Sequence, residues 1–161
     1  MATRSTPAFW VFFGLLLTAY FLLHVGLGLG ASVPDLLTVA LLLGVRRVRS
    51  SVAAALGLVL GLIQDALAFG SFGADALTLT ILGYLGARSR DLFEGDSLLF
   101  VGAYLFLGKW LHDLGYWALA PANSRSDFVA EVLLRSPLAA LYAAGAGVMA
   151  LVIFRAVTGE K

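Results

Sequence analysis

The 161 residues contain no cysteine, so the chain has no disulfide, no thiolate metal site and no thiol nucleophile. Charge is nearly as scarce. Asp, Glu, Lys and Arg make up 13% of the sequence, about half of the roughly 25% usual in soluble domains, and a soluble enzyme is nearly excluded. Eleven basic residues against ten acidic ones leave a formal charge of +1, without the basic excess that draws a domain to nucleic acid. Two histidines cannot build a zinc site alone. No G-x-x-x-x-G-K-[ST], G-x-S-x-G or H-E-x-x-H occurs, so there is no nucleotide loop, nucleophile elbow or metalloprotease helix. The Gly26-x-Gly28-x-Gly30 run ends an apolar stretch and does not follow a strand, which argues against a dinucleotide site. No catalytic residue, cofactor or metal is assigned.

What remains is apolar: 60% of residues are hydrophobic and the mean hydropathy is +0.92. That excludes disorder and points to an all-α integral membrane protein of one domain, spanning residues 1–161. Six apolar runs, 8–29, 34–45, 50–69, 74–87, 97–119 and 137–157, predict a six-helix transmembrane bundle. The first run is longer than the roughly 7–15 apolar residues of a signal peptide, and it meets Gly30, Ala31 and Ser32, so it is read as a retained span. In the second, Pro34 occupies a plausible first helical position and Asp35 the first turn. Its twelve residues reach only about 18 Å, so the helix is expected to thin the bilayer, lie re-entrant, or use the stems of Arg46, Arg47 and Arg49 to reach the interface. Glycines 70 and 73 allow a tight turn between the third and fourth runs. Arg88 to Asp96 form a charged loop, Pro121 ends the fifth run, and Ser136-Pro137 supplies an N-cap and first-turn proline for the sixth.

With six crossings, one side carries Arg4, Arg46, Arg47, Arg49, Arg88, Arg90, Arg155 and Lys161, and the other only Arg125 and Arg135. Eight against two places both termini in the cytoplasm. From Asn123 to Arg135 the outer loop is too polar to span, and Phe128, Val129, Val132 and Leu133 recur at helical spacing, which predicts a short helix on the outer face.

Three features single out residues. Ala53, Gly57, Gly61 and Asp65 follow one another every four residues, a face of three small side chains and an acid that suits close helix packing within the chain or against a partner. Asp65 either finds a buried partner or sits at the outer helix end where water solvates it. Lys109, His112, Asp113 and Tyr116 form one stripe that should turn inward, as a paired structural lock or as a proton or substrate pathway. His24 is most simply interfacial.

The segments Val33-Pro34-Asp35-Leu36, Gly61-Leu62-Ile63-Gln64-Asp65 through Gly70-Ser71-Phe72-Gly73-Ala74-Asp75 to Leu77, and Gly83-Tyr84-Leu85 resemble, in that order, the bacterial rod-shape-determining MreD family. Gln64 stands where the family usually has an apolar residue. The resemblance implies a multi-pass inner-membrane member of the rod complex, or elongasome, that does not make bonds itself. It acts with an MreC-like membrane protein, with a RodA-type glycosyltransferase and its transpeptidase, and indirectly with the MreB cytoskeleton, in organising peptidoglycan synthesis and cell shape. Pro34, Asp35, Gly57, Gly61, Asp65, Gly73, Tyr84, Lys109, His112 and Asp113 are then the candidate structural or partner-interface residues. The family is also similar, in its six-helix fold, to the substrate-binding membrane subunits of energy-coupling-factor vitamin transporters. Recognition of a vitamin would need a concave pocket with placed polar groups, and the sequence offers few on separate spans.

Overall fold

Leu36–Val45 is hydrophobic on every side, and a helix of that kind belongs inside a protein or in lipid. At 1.5 Å per residue it covers about 15 Å, half of a hydrocarbon core. The computed structural model, which describes residues 7–27, 34–67, 73–89, 97–121 and 127–159, resolves that conflict. This helix, α2, is the axis of the fold, and all ten of its residues are buried. Around it stand α1 (Pro7–Phe21, prolonged by a π-helical turn Leu22–Gly26), α3 (Ser50–Leu67), α4 (Ala74–Arg88), α5 (Leu98–Leu119) and α6 (Ser136–Thr158). All five touch α2. The short helix therefore meets protein rather than lipid, and the bilayer thinning, re-entrance or arginine snorkelling expected from its length is not required. No strand occurs among the described residues.

Close approach to the axis depends on missing side chains. A Cβ on Gly108 of α5 would lie 2.5 Å from a Leu42 methyl, and one on Gly147 of α6 would lie 2.8 Å from Val39. One turn from Gly108, the Tyr104 hydroxyl donates to the Leu42 carbonyl at 3.0 Å, tying α5 to α2 by a buried hydrogen bond.

The α3–α4 hairpin is the tightest pair. A Cβ on Gly57 would sit 2.0 Å from the Leu79 carbonyl oxygen, one on Gly61 2.4 Å from the Ala76 Cα, and one on Gly83 2.4 Å from the Ala53 carbonyl oxygen. The small face of α3 is thus filled by the backbone of α4. Gly73 enters α4 at φ +99°, a conformation that costs glycine little; its expected turn partner Gly70 lies outside the described residues.

Among the described residues three helices are long and apolar enough to cross a membrane, over Pro7–His24, Ser50–Leu67 and Val129–Thr158. At 22 residues α5 is as long, with the charged stripe lowering its hydropathy. Two helix starts differ from expectation. Asp35 is the N-cap of α2, accepting from the Thr38 amide at 3.0 Å, so Pro34 precedes the helix instead of opening it. Ser136 does not cap α6, because a π-helical segment Val129–Arg135 runs straight into it. The Ser136 amide bonds Glu131, five residues back. In that register Pro137, having no N–H, strands the Val132 carbonyl, and the Trp110 indole supplies the missing donor at 3.0 Å. The expected separate outer helix is therefore the first two turns of the last one; the parts of the outer and charged loops at 122–126 and 90–96 lie outside the described residues.

Candidate functional site

The stripe on α5 finds its partners on three other helices. Lys109 Nζ lies 3.0 Å from Asp35 Oδ2 at the N-terminus of α2 and donates to Asp113 Oδ1 one turn along its own helix. Asp113 Oδ2 accepts from the Ser136 hydroxyl at the start of α6. His112 spans two carboxylates, with Nδ1 3.2 Å from Asp113 and Nε2 3.1 Å from Asp75 of α4. A chain of Asp35, Lys109, Asp113, His112 and Asp75 thus runs from α2 through α5 to α4, with Ser136 of α6 as a branch. Lys109, His112, Asp75 and Ser136 are all buried, and pairing is what makes such burial tolerable in a bundle surrounded by lipid.

Backbone contacts explain why these groups meet. Gly115, one turn beyond His112, presses against Thr78, where a Cβ would fall 2.8 Å from the threonine methyl, and that contact brings Asp75, one turn before Thr78, to the imidazole. Asp75 is fixed from the other side by Asp65. The Asp65 carboxylate, 1% exposed, accepts the amides of Asp75 at 3.1 Å and Ala76 at 2.9 Å. These are first-turn N–H groups of α4 with no partner in their own helix, and a carboxylate there also meets the positive end of the helix dipole. Asp65 sits near the end of α3, as the solvated reading supposed, but α4 covers it in place of water.

Two adjoining cavities of about 470 and 380 Å³ flank His112 and share Tyr20, His24, Gln64, Asp113 and Tyr116. Glu131, Val132 and Arg135 of the π-helical segment line the larger one. His24 stacks on Tyr20 with ring centroids 4.5 Å apart and lines both cavities. The expectation of few polar groups for a pocket fails because the α5 stripe is joined by groups from every other helix, Tyr20 and His24 of α1, Asp35 at the start of α2, Gln64 of α3, Asp75 of α4 and Glu131 and Ser136 at the start of the last helix. In the sequence Gln64 and Asp75 stand within the family-like motif and Ser136 reads as a cap, and nothing local joins them to the stripe. The one available signal was an acid in an apolar helix, which calls for a partner.

Of the other candidates, Gly57, Gly61 and Gly73 build the α3–α4 hairpin, and Tyr84 stands apart on the exposed face of α4, 44% accessible. Among the described residues no three His, Asp or Glu side chains are grouped to hold a metal ion. The network can fix four helices relative to one another and present charged and polar groups to a cavity.

The model of the rod shape-determining protein MreD family matches residues 3–156. Searches of curated proteins and of solved structures return no match, so the likeness to vitamin-transporter subunits rests on resemblance alone. A match over nearly the whole chain, on a bundle of apolar helices, shows that this membrane protein belongs to the rod shape-determining MreD family.

Proposed function

We propose that the chain is a non-catalytic scaffold or regulator of the rod complex in the bacterial inner membrane, with an MreC-like membrane protein as its direct partner. The observation that carries this reading is the family match over residues 3–156. RodA-type glycosyltransferase, its transpeptidase and, indirectly, MreB are then further members of the assembly that organises peptidoglycan synthesis. Both termini face the cytoplasm, in keeping with the eight-to-two distribution of positive charge.

The small face of α3 is occupied by α4, so a partner helix has to dock elsewhere. Leu77, Ile81, Tyr84 and Leu85 of α4 are exposed at spacings of four, three and one, a continuous stripe of the kind a second helix can pack against. Cysteines at Ile81 and on α6 at Leu141 test this against a background free of native thiols. Crosslinking of the MreC-like partner through position 81 and not 141 supports the docking face; capture through 141 alone refutes it. The polar cavity favours one rival reading, the substrate-binding subunit of a vitamin transporter. Co-purification from native membranes separates the two, with cell-wall synthesis proteins expected for a scaffold and an ATPase module for a transporter.

A further inference from the structure

We propose that the two cavities beside His112 form one binding site for a small ligand that carries an ammonium group. Volumes of about 470 and 380 Å³ lie in the range of small-molecule sites. The lining is rich in acceptors. Asp35, Asp75, Asp113 and Glu131 are four carboxylates set against the fixed cations Lys109 and Arg135. Lys109 is engaged by two of them, Arg135 lies beside Glu131, and His112 is shared between two. Each of these groups already has a carboxylate, so an anion would have to displace one.

The acceptors are not all used. Gln64 Oε1 is buried and has no hydrogen-bond partner among the described residues, and the contact of Asp75 with His112 engages Oδ1 alone. Both side chains line the smaller cavity, together with Tyr20 and Tyr116. A buried carbonyl oxygen without a donor is a standing cost that a ligand donor would remove. An ammonium offers three donors and a positive charge, which suits a carboxamide oxygen, a carboxylate and aromatic faces together. His24, whose Nδ1 is also buried without a partner among the described residues, lines both cavities, where the rest of the ligand passes into the larger one.

The inference does not depend on the scaffold reading, because the test needs only the purified full chain. Ethanolamine at fixed pH, with ionic strength matched by sodium chloride, is titrated against the melting temperature in detergent. The same measurement compares nanodiscs of phosphatidylethanolamine with nanodiscs of phosphatidylglycerol. A saturable rise with free ethanolamine, weakened at least tenfold in Gln64→Leu and kept or strengthened in Gln64→Glu, establishes the site and a soluble amine as its ligand. A rise confined to phosphatidylethanolamine and lost in Gln64→Leu establishes the site and a lipid headgroup as its ligand. Gln64→Leu should itself melt no lower than the unsubstituted chain without ligand, since it removes an unpaired acceptor; Gln64→Met replaces it if it does not fold. No saturable rise with either amine, a rise that survives the Gln64 substitution, or an equal rise with inorganic phosphate overturns the proposal.

Discussion

Replacing Asp65 with alanine should unfasten α4 from α3 without altering the apolar packing between them. The carboxylate accepts two buried amides, those of Asp75 and Ala76, and nothing replaces it at 1% exposure. Leaving a buried donor unsatisfied costs about 1–3 kcal/mol, so two lost bonds predict a destabilisation of about 2–6 kcal/mol. Asp65→Asn keeps one acceptor oxygen and turns an NH2 toward the second amide, so it should fall between alanine and the unsubstituted chain. Leu58→Ala on the exposed side of the same helix is the control, at about 0.5 kcal/mol or less. Unfolding in graded detergent mixtures reads the magnitude, and hydrogen exchange at the Asp75 and Ala76 amides reads the mechanism, since these two protons should lose protection first. If Asp65→Ala unfolds like Leu58→Ala, or if the two amides keep their protection, the capping account is wrong.

Lys109→Leu and Asp113→Leu should each cost about 3–5 kcal/mol, the loss expected when one member of a buried ion pair is removed, and the double variant should not recover it. Deleting both still leaves Asp35 without its lysine and His112 without one carboxylate, so rescue should need Asp35→Asn as well; a double variant that melts like the unsubstituted chain would show that Asp35 does not depend on Lys109. Gly57→Leu should abolish folding of the hairpin, because its side chain would enter the Leu79 carbonyl, and normal thermal stability of that variant would refute the packing of α3 on α4. Cysteine at Ser124 should react with an impermeant reagent in intact cells and cysteine at Ser89 should not, with the reverse pattern overturning the orientation.

Hydropathy was enough to read six helices from the sequence, because lipid forces each spanning segment to be apolar and helical whatever its neighbours do. It was not enough to read α2. A decapeptide with one threonine among apolar residues looks the same whether it faces lipid or protein, and glycines of α4, α5 and α6, far away in sequence, let those helices close over it. The α5 stripe was legible for a similar reason: 109, 112, 113 and 116 share a face by helix geometry alone. Its partners were not, since Asp35 reads as a helix-start residue, Ser136 as a cap and Asp75 as a first-turn acid, each locally sufficient. Ser136 gave up that local role because the π register carries the helix through it, a choice stabilised by Trp110 on another helix.

The burial of α2 on every side bears on how the chain is made. A segment of ten uncharged residues flanked by Asp35 and Arg46 is too short to be stable across a bilayer by itself, since about 20 residues are needed. Two of the walls that enclose it, α5 and α6, emerge from the ribosome last. The axis of the finished bundle therefore cannot settle when it is synthesised and has to be drawn in after the outer helices arrive. A chain cut before α6 would leave Val39 without the close approach of Gly147, and α2 would wait, incompletely enclosed, between neighbours long enough to insert by themselves.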